Sequence, residues 1–440
     1  MRTAFYLLIG LIGFTPALFF VDGPIFDGFL SAYAALAVAV VGLSIRPGEA
    51  DYLSMVIRPT LIFAVIPAAW MLIQLLPMPA TGTVNSIWAS AQIALNHAVI
   101  AGISIDRGAT LLAFMKYCFA VSVIFIAAAV TIDRARAEFV LFWLAGITTL
   151  AAIVLIGGEM RALKLIAETT ITPPNPSLTA LAAIGVVINA TAAVRAIERY
   201  ETRRSSIDAP FAKFVWTFIL CVMALTVCVC TVVAFENPAV VFAAISGLAA
   251  FVIIMIIRRL GLGPWVNIFF ALTAVVIAIM IIITNSGSGD PTLRFAFGAP
   301  SALIQITQSV LSDTPWIGNG AGALNSLASI YQDIDRTFVG PYAPTTAATV
   351  AIELGRPALW IILVMVFALF IQLLRGALQR GRDSFYPTAG ASCLVLLVFE
   401  AFCDATLLER STIIISATIL GLAFAQSVSR TNQTNLTRQN

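Results

Sequence analysis

Apolar runs long enough to cross a lipid bilayer recur from one end of this 440-residue chain to the other. A bilayer needs about twenty apolar residues per helical crossing, and its interior offers no water to backbone polar groups, so only helices and closed barrels span it. Barrel strands alternate polar and apolar residues, whereas these runs are apolar throughout. Twelve stretches qualify, approximately 3–21, 28–45, 59–77, 109–131, 138–158, 177–195, 214–234, 238–257, 264–284, 345–374, 386–403 and 411–427. Only 11% of the residues are charged, against about a quarter in a soluble domain. That excludes a soluble enzyme, a disordered chain and a secreted disulfide scaffold. The sequence predicts an all-α polytopic membrane protein of about twelve transmembrane helices, with residues 1–440 as a single integral membrane domain.

Orientation follows from the connections, because cytoplasmic loops carry the excess of Lys and Arg. With the N-terminus inside, seventeen Lys and Arg fall on inside segments and six on outside ones: Arg107, Arg161, Lys164, Arg294, Arg336 and Arg410. Both termini are therefore expected in the cytoplasm. The first run lacks a small-x-small cleavage site and is followed at once by a second, so it reads as a helix rather than a signal peptide. The net charge of +3 is too small to imply a nucleic-acid partner. The six cysteines lie inside apolar runs without a Cys-x-x-Cys pair, and there is one histidine, so no metal centre and no cofactor are expected.

Two outside segments are long enough to carry chemistry. Residues 78–108 contain an interfacial helix between Asn85 and Ile100, with Ile87, Trp88, Ala91 and Leu95 at helical spacing. Residues 285–344 form one large outside loop with short helices. It opens at Ser286-Gly287-Ser288-Gly289-Asp290-Pro291, continues as an apolar-striped helix from Ala302 to Leu311, turns at Pro315 and Gly318-Asn319-Gly320, and closes on Asp333-Ile334-Asp335-Arg336. Within the bilayer, Glu353 and Arg356 are spaced to pair on one helix face, and Lys116 and Glu400 lie deeper, where charge is costly and usually has a purpose.

The stretch from Arg294 to Trp360 resembles the O-antigen ligase and polymerase-like family of bacterial envelope proteins. The matching elements are Arg294, the helix to Leu311, Asp313-Thr314-Pro315-Trp316-Ile317-Gly318-Asn319-Gly320, and Glu353-Leu354-Gly355. Upstream, Pro174-Asn175-Pro176 before an apolar run is similar to the family's Asn-Pro-Asn start of a membrane helix, with Arg161 a short way before it. The resemblance implies a GT-C-like glycosyltransferase of the bacterial inner membrane. Such an enzyme takes a glycan from an undecaprenyl-pyrophosphate carrier on the periplasmic face and passes it to a saccharide acceptor, without a metal. The departing pyrophosphate must then be met by guanidinium groups, which bind phosphate bidentately. Arg161, Arg294 and Arg336 are the candidates for that role, with Lys164 as a point charge and Asp313, Asp333, Asp335 and Glu353 to orient sugar hydroxyls.

One departure bears on mechanism. The family's histidine, nine residues before the Glu of Glu-x-Gly, is thought to activate the acceptor hydroxyl; here that register gives Pro344, in Ala343-Pro344-Thr345-Thr346. Asp313, Asp333, Asp335 and the lone His97 are the possible substitutes. Two other readings stay open: a transporter or flippase, suited by the interruption at Gly355-Arg356-Pro357, and a non-catalytic relative that holds a lipid-linked glycan for other polysaccharide export proteins.

Overall fold

The computed structural model describes residues 1–19, 23–77, 85–97, 99–165, 176–203, 211–235, 237–260, 290–296, 299–331, 343–380 and 383–428. The helices are α1 (Arg2–Phe14), α2 (Pro24–Ser44), α3 (Pro47–Leu75), α4 (Ile87–Leu95), α5 (Arg107–Val130), α6 (Arg134–Leu165), α7 (Pro176–Arg203), α8 (Phe211–Ala234) and α9 (Pro238–Leu260). The second part of the chain adds α10 (Ser301–Asp313), α11 (Leu324–Tyr331), α12 (Thr346–Glu353), α13 (Arg356–Gln379), α14 (Phe385–Cys403) and α15 (Arg410–Ala425). Several of them open on proline (Pro24, Pro47, Pro176, Pro238), a residue suited to the first helical turn because the missing N–H would have no partner there anyway.

Nine helices among the described residues are long and apolar enough to cross a membrane, so the chain is an all-α, multi-pass membrane protein. Two shorter apolar segments, Arg2–Leu18 and Arg410–Ala425, match the first and last of the twelve expected runs. The run at 264–284 lies outside the described residues. The expected span 345–374 is corrected as a continuous helix: it is broken after Glu353 into α12 and α13, at the interruption expected from Gly355-Arg356-Pro357, because Gly355 sits at φ +96° and Pro357 lies in the first turn of the next helix. Expected helix limits also move. The span expected at 138–158 continues helically to Leu165, and the interfacial helix is confined to Ile87–Leu95, stopped by left-handed Asn96.

Helices α7 and α14 are the most enclosed of the nine, and α15 is buried along nearly its whole length. The other spans turn large apolar side chains outward, as a lipid solvent permits. Where spans approach closely, small residues allow it. At Gly421 of α15 an added Cβ would lie 2.4 Å from the carbonyl oxygen of Ile124 and 2.7 Å from Ala127 Cβ, both on α5.

The two ends of the bundle differ in chemistry. One end is tied by arginine. Arg134 pairs with Asp383, Arg195 and Arg199 with Glu138, and Arg258 with Glu198. The opposite end carries the loops. There Asp27 of α2 pairs with Arg410 of α15 and, at 3.4 Å, with Lys116 of α5. Glu400 is fully buried and accepts a hydrogen bond from Thr406 Oγ1 at 3.3 Å.

The close approach at Gly421 yields a direct test. Gly421→Val should force α5 and α15 apart and lower stability by about 1–3 kcal/mol, the usual cost of overpacking. Gly146→Ala, where nothing lies within 4 Å, should be neutral or slightly stabilising. Thermal unfolding of the two variants in one detergent reads the contrast.

Candidate functional site

The break between α12 and α13 organises the loop face. A helix ending there leaves its last carbonyls without intrahelical partners, and each is collected by a donor from a distant part of the chain. Ile352 O accepts from Asn319 N–H (3.0 Å) and Asn319 Nδ2 (3.3 Å). Glu353 O accepts from Gly320 N–H (3.0 Å) and Gln74 Nε2 (3.1 Å). Leu354 O accepts from Trp70 Nε1 at 3.0 Å. At the other end of α12, Thr345 Oγ1 caps the N–H of Ala348, and Thr346 N–H donates to Asp404 O at the end of α14.

Glycine is required on both sides of this contact. Gly318 at φ +83° would place a Cβ 2.3 Å from Glu353 O, and Gly355 would place one 2.1 Å from Trp316 O. The Gly318-Asn319-Gly320 turn and Glu353-Leu354-Gly355 therefore fit together backbone to backbone. The fully buried amide of Gln74 locks them. It donates to Ile317 O and Glu353 O, while its Oε1 accepts from Ala321 N–H at 3.1 Å. Asn85 Nδ2 donates to Asn319 Oδ1 at 2.9 Å, and Ile105 N–H to Asn319 O at 3.0 Å, so the segment around α4 is tied to the same turn. Asp106 caps α5 through Ala109 N–H and also accepts from Ser326 Oγ of α11 at 3.2 Å.

Glu353 points into this seat. Its Oε1 accepts from Leu324 N–H at 3.4 Å and its carboxyl also bonds the N–H of Gly322, so it holds the start of α11. Burial pushes its pKa up to about 7, against the opposing pull of those N–H groups and of the Lys116 charge. The expected Glu353–Arg356 pair does not form, since the two residues are on different helices. Arg356 Nη2 donates instead to Asp290 Oδ2 at 2.9 Å and to Leu311 O at 3.3 Å.

The turn 290–296 lies along α12. Asp290 reaches Arg356 beyond one end, and Thr292 O accepts from Thr345 Oγ1 (2.8 Å) at the other. Arg294 is half-buried in this turn between Leu293 and Phe295, which join an apolar cluster with Leu359, Phe402 and Cys403. Asp313 ends α10 at the surface and accepts from Tyr331 Oη at 2.8 Å, tying α10 to α11. Arg161 and Lys164 belong to the last turns of α6 rather than to a loop, and their side chains lie outside the described residues, as do Asp333, Asp335 and Arg336. His97 is exposed, its Nδ1 2.9 Å from Leu95 O. The region thus brings Glu353 and Asp313 to opposite ends of α11, with Arg294 half-buried in the turn beside α12. Among the described residues no group of three His, Cys, Asp or Glu is placed to hold a metal ion. Sequence reasoning passed over Gln74, Asn85 and Asp106; a lone glutamine near the end of an apolar run was the one available signal.

Since Glu353 takes up a proton more readily when folded, its contribution to stability is full below the ordinary carboxylate range and is lost as pH rises through about 7. Glu353→Gln should keep the contacts to α11 and flatten the decline in thermal stability between about pH 5 and pH 8. Glu353→Ala should cost about 1 kcal/mol at pH 5, as the loss of a helix cap does, and progressively less as pH rises through about 7.

No family model, no curated protein and no solved structure matches the chain.

Proposed function

We propose that the chain is a membrane glycosyltransferase of the O-antigen ligase or polymerase-like type, GT-C-like in architecture. It transfers or polymerises a glycan carried on undecaprenyl pyrophosphate, on the periplasmic face of the bacterial inner membrane, to a saccharide acceptor. In this reading there are about twelve spans, both termini are cytoplasmic, and the loop face is periplasmic.

The observation that carries the reading is the union of its two short motifs. The turn through Gly318-Asn319-Gly320 and the Glu353-Leu354-Gly355 break lie thirty-odd residues apart in sequence, yet they form one hydrogen-bonded unit. Motifs of this length mean little singly; their direct contact supports treating them as one functional device. Arg294 then supplies the cation for the leaving pyrophosphate beside that unit, with Arg161 and Arg336 as further candidates. A second reading, a non-catalytic holder of the lipid-linked glycan, draws on Pro344. It is buried where the family has its histidine, and both neighbouring threonine hydroxyls are committed, Thr345 to Thr292 O and Thr346 to Asp404 O.

Transfer of a radiolabelled glycan in proteoliposomes separates the readings. Release of undecaprenyl pyrophosphate supports the enzyme, retention without release the holder, and sided movement without release a flippase. Arg294→Lys keeps the charge but loses the planar fork, and it should lower transfer at least tenfold, about 1.4 kcal/mol in the barrier. Membrane level should be unchanged. Sidedness has its own test once the exposed Cys118 and Cys230 are replaced. A cysteine at exposed Ser309 should label only from the periplasm and one at exposed Glu201 only from the cytoplasm.

A further inference from the structure

At the arginine-tied end of the bundle, three helix junctions border a half-open polar cavity of about 620 Å³. It is lined by Met1 and Arg2 of the α1 start, Ser44 at the end of α2, Arg46 and Glu49 at the start of α3, and Asp133 and Arg136 at the start of α6. We propose that this cavity, with the aromatic ladder below it, is a binding site for an anionic phospholipid, whose phosphate headgroup sits among Arg2, Arg46 and Arg136.

Charge is the first argument. Three guanidinium groups face two carboxylates, and both carboxylates are engaged by their own helix starts. Glu49 Oε2 accepts from Arg46 N–H at 3.3 Å, and Asp133 Oδ1 from Ala135 N–H at 3.1 Å. Asp133 also meets Arg136 Nε at 3.5 Å, while Arg2 and Arg46 form no ion pair among the described residues. The cavity therefore presents unmatched cations, arranged as forks suited to phosphate oxygens. The positive ends of α3 and α6 add to the same field.

Depth is the second argument. One helical turn beyond the cavity's arginines, α1 and α6 carry aromatic side chains instead. Phe5 and Phe139 meet edge to face at 5.5 Å, and Phe139 stacks on Trp143 at 6.2 Å. Tyr6, Phe139 and Trp143 remain 69%, 49% and 37% exposed. This apolar, outward-facing ladder has the chemistry of an acyl-chain surface, and it continues directly from the cationic cavity. A soluble anion would use the cavity and ignore the ladder; a phospholipid uses both. Basic pockets between spans on the cytoplasmic side are a recognised headgroup geometry. The proposal does not depend on the glycan reaction at the opposite face.

Native mass spectrometry of the purified protein in detergent tests it, with three probes: dioleoyl phosphatidylglycerol, dioleoyl phosphatidylcholine and inorganic phosphate. Phosphatidylglycerol should bind at least tenfold more tightly than phosphatidylcholine. The triple variant Arg2→Gln, Arg46→Gln, Arg136→Gln should lose that preference, and Arg46→Glu alone should reduce it if the triple variant fails to elute as a single species. Phe139→Ala should weaken phosphatidylglycerol binding severalfold, because it removes part of the chain surface. Equal binding of the two lipids, or an unchanged preference in a folded arginine variant, overturns the site. Inorganic phosphate that competes as well as the lipid, with no effect of Phe139→Ala, overturns the lipid assignment in favour of a soluble anion.

Discussion

Carbonyl groups released by a broken helix near a membrane must be given donors, and this one demand shapes the loop face. These carbonyls are shut away from water by the packed loop face, and an unsatisfied backbone group costs more than the hydrogen bond it lacks would add. Here the carbonyls of Ile352, Glu353 and Leu354 draw in the main chain of Asn319 and Gly320, the amide of Gln74 and the indole of Trp70. Each donor brings its own element with it. Helix α3 is positioned by Trp70 and Gln74, and the segment before α5 by Asn85 and Ile105 through Asn319. The seat is thus built by satisfying one helix end, with apolar packing from Leu311, Leu324 and Ile352 filling behind it.

The architecture was readable because lipid imposes a strong, local rule. A run of twenty apolar residues has few alternatives, and the alternating arginine content repeats the same message along the chain. The rule is weak at helix ends, and there the reading changed. Nothing in hydropathy separates α12 from α13, since Glu353 to Pro357 are flanked by apolar residues on both sides. The break needs left-handed backbone at Gly355 and a partner loop thirty residues upstream, and the second requirement is not written in any local window. For the same reason Glu353 and Arg356 looked like neighbours on one face. Spacing of three implies contact only where the helix continues.

The site was legible to a lesser degree. Gly318, Gly320, Glu353 and Gly355 stand out as two short motifs in the chain, and the fold puts them in one contact. Their contacts were less accessible, because a carboxylate that orients a sugar and a carboxylate that caps a helix have the same sequence signature. Asp313 makes the same point: it reads as a sugar-orienting acid and is held by Tyr331. Long-range cross-links such as Gln74 to Ile317 and Glu353 depend on tertiary register, which a single sequence does not encode in any window.

The departure at Pro344 gains meaning from the seat. In the proposed reading the expected histidine position falls on Pro344, and since the chain's single histidine is His97 no shift of register supplies one; Glu353 is in any case fixed by its bonds to Gly322 and Leu324, and its carbonyl by Gly320 and Gln74. Counting back from a fixed residue reaches Pro344 without freedom to slide, and α12 is helical from Thr346, so no slack is stored between them. The neighbouring hydroxyls are spent on Thr292 O and Asp404 O. A chain that performs glycan transfer on this scaffold must take its base from a different element, and the transferred proton must leave by a route that does not begin at residue 344. A chain that only holds the glycan needs no base at all, and for it a rigid, fully bonded α12 start is an advantage. The chemistry of this position, more than the arginines, is what divides the two readings.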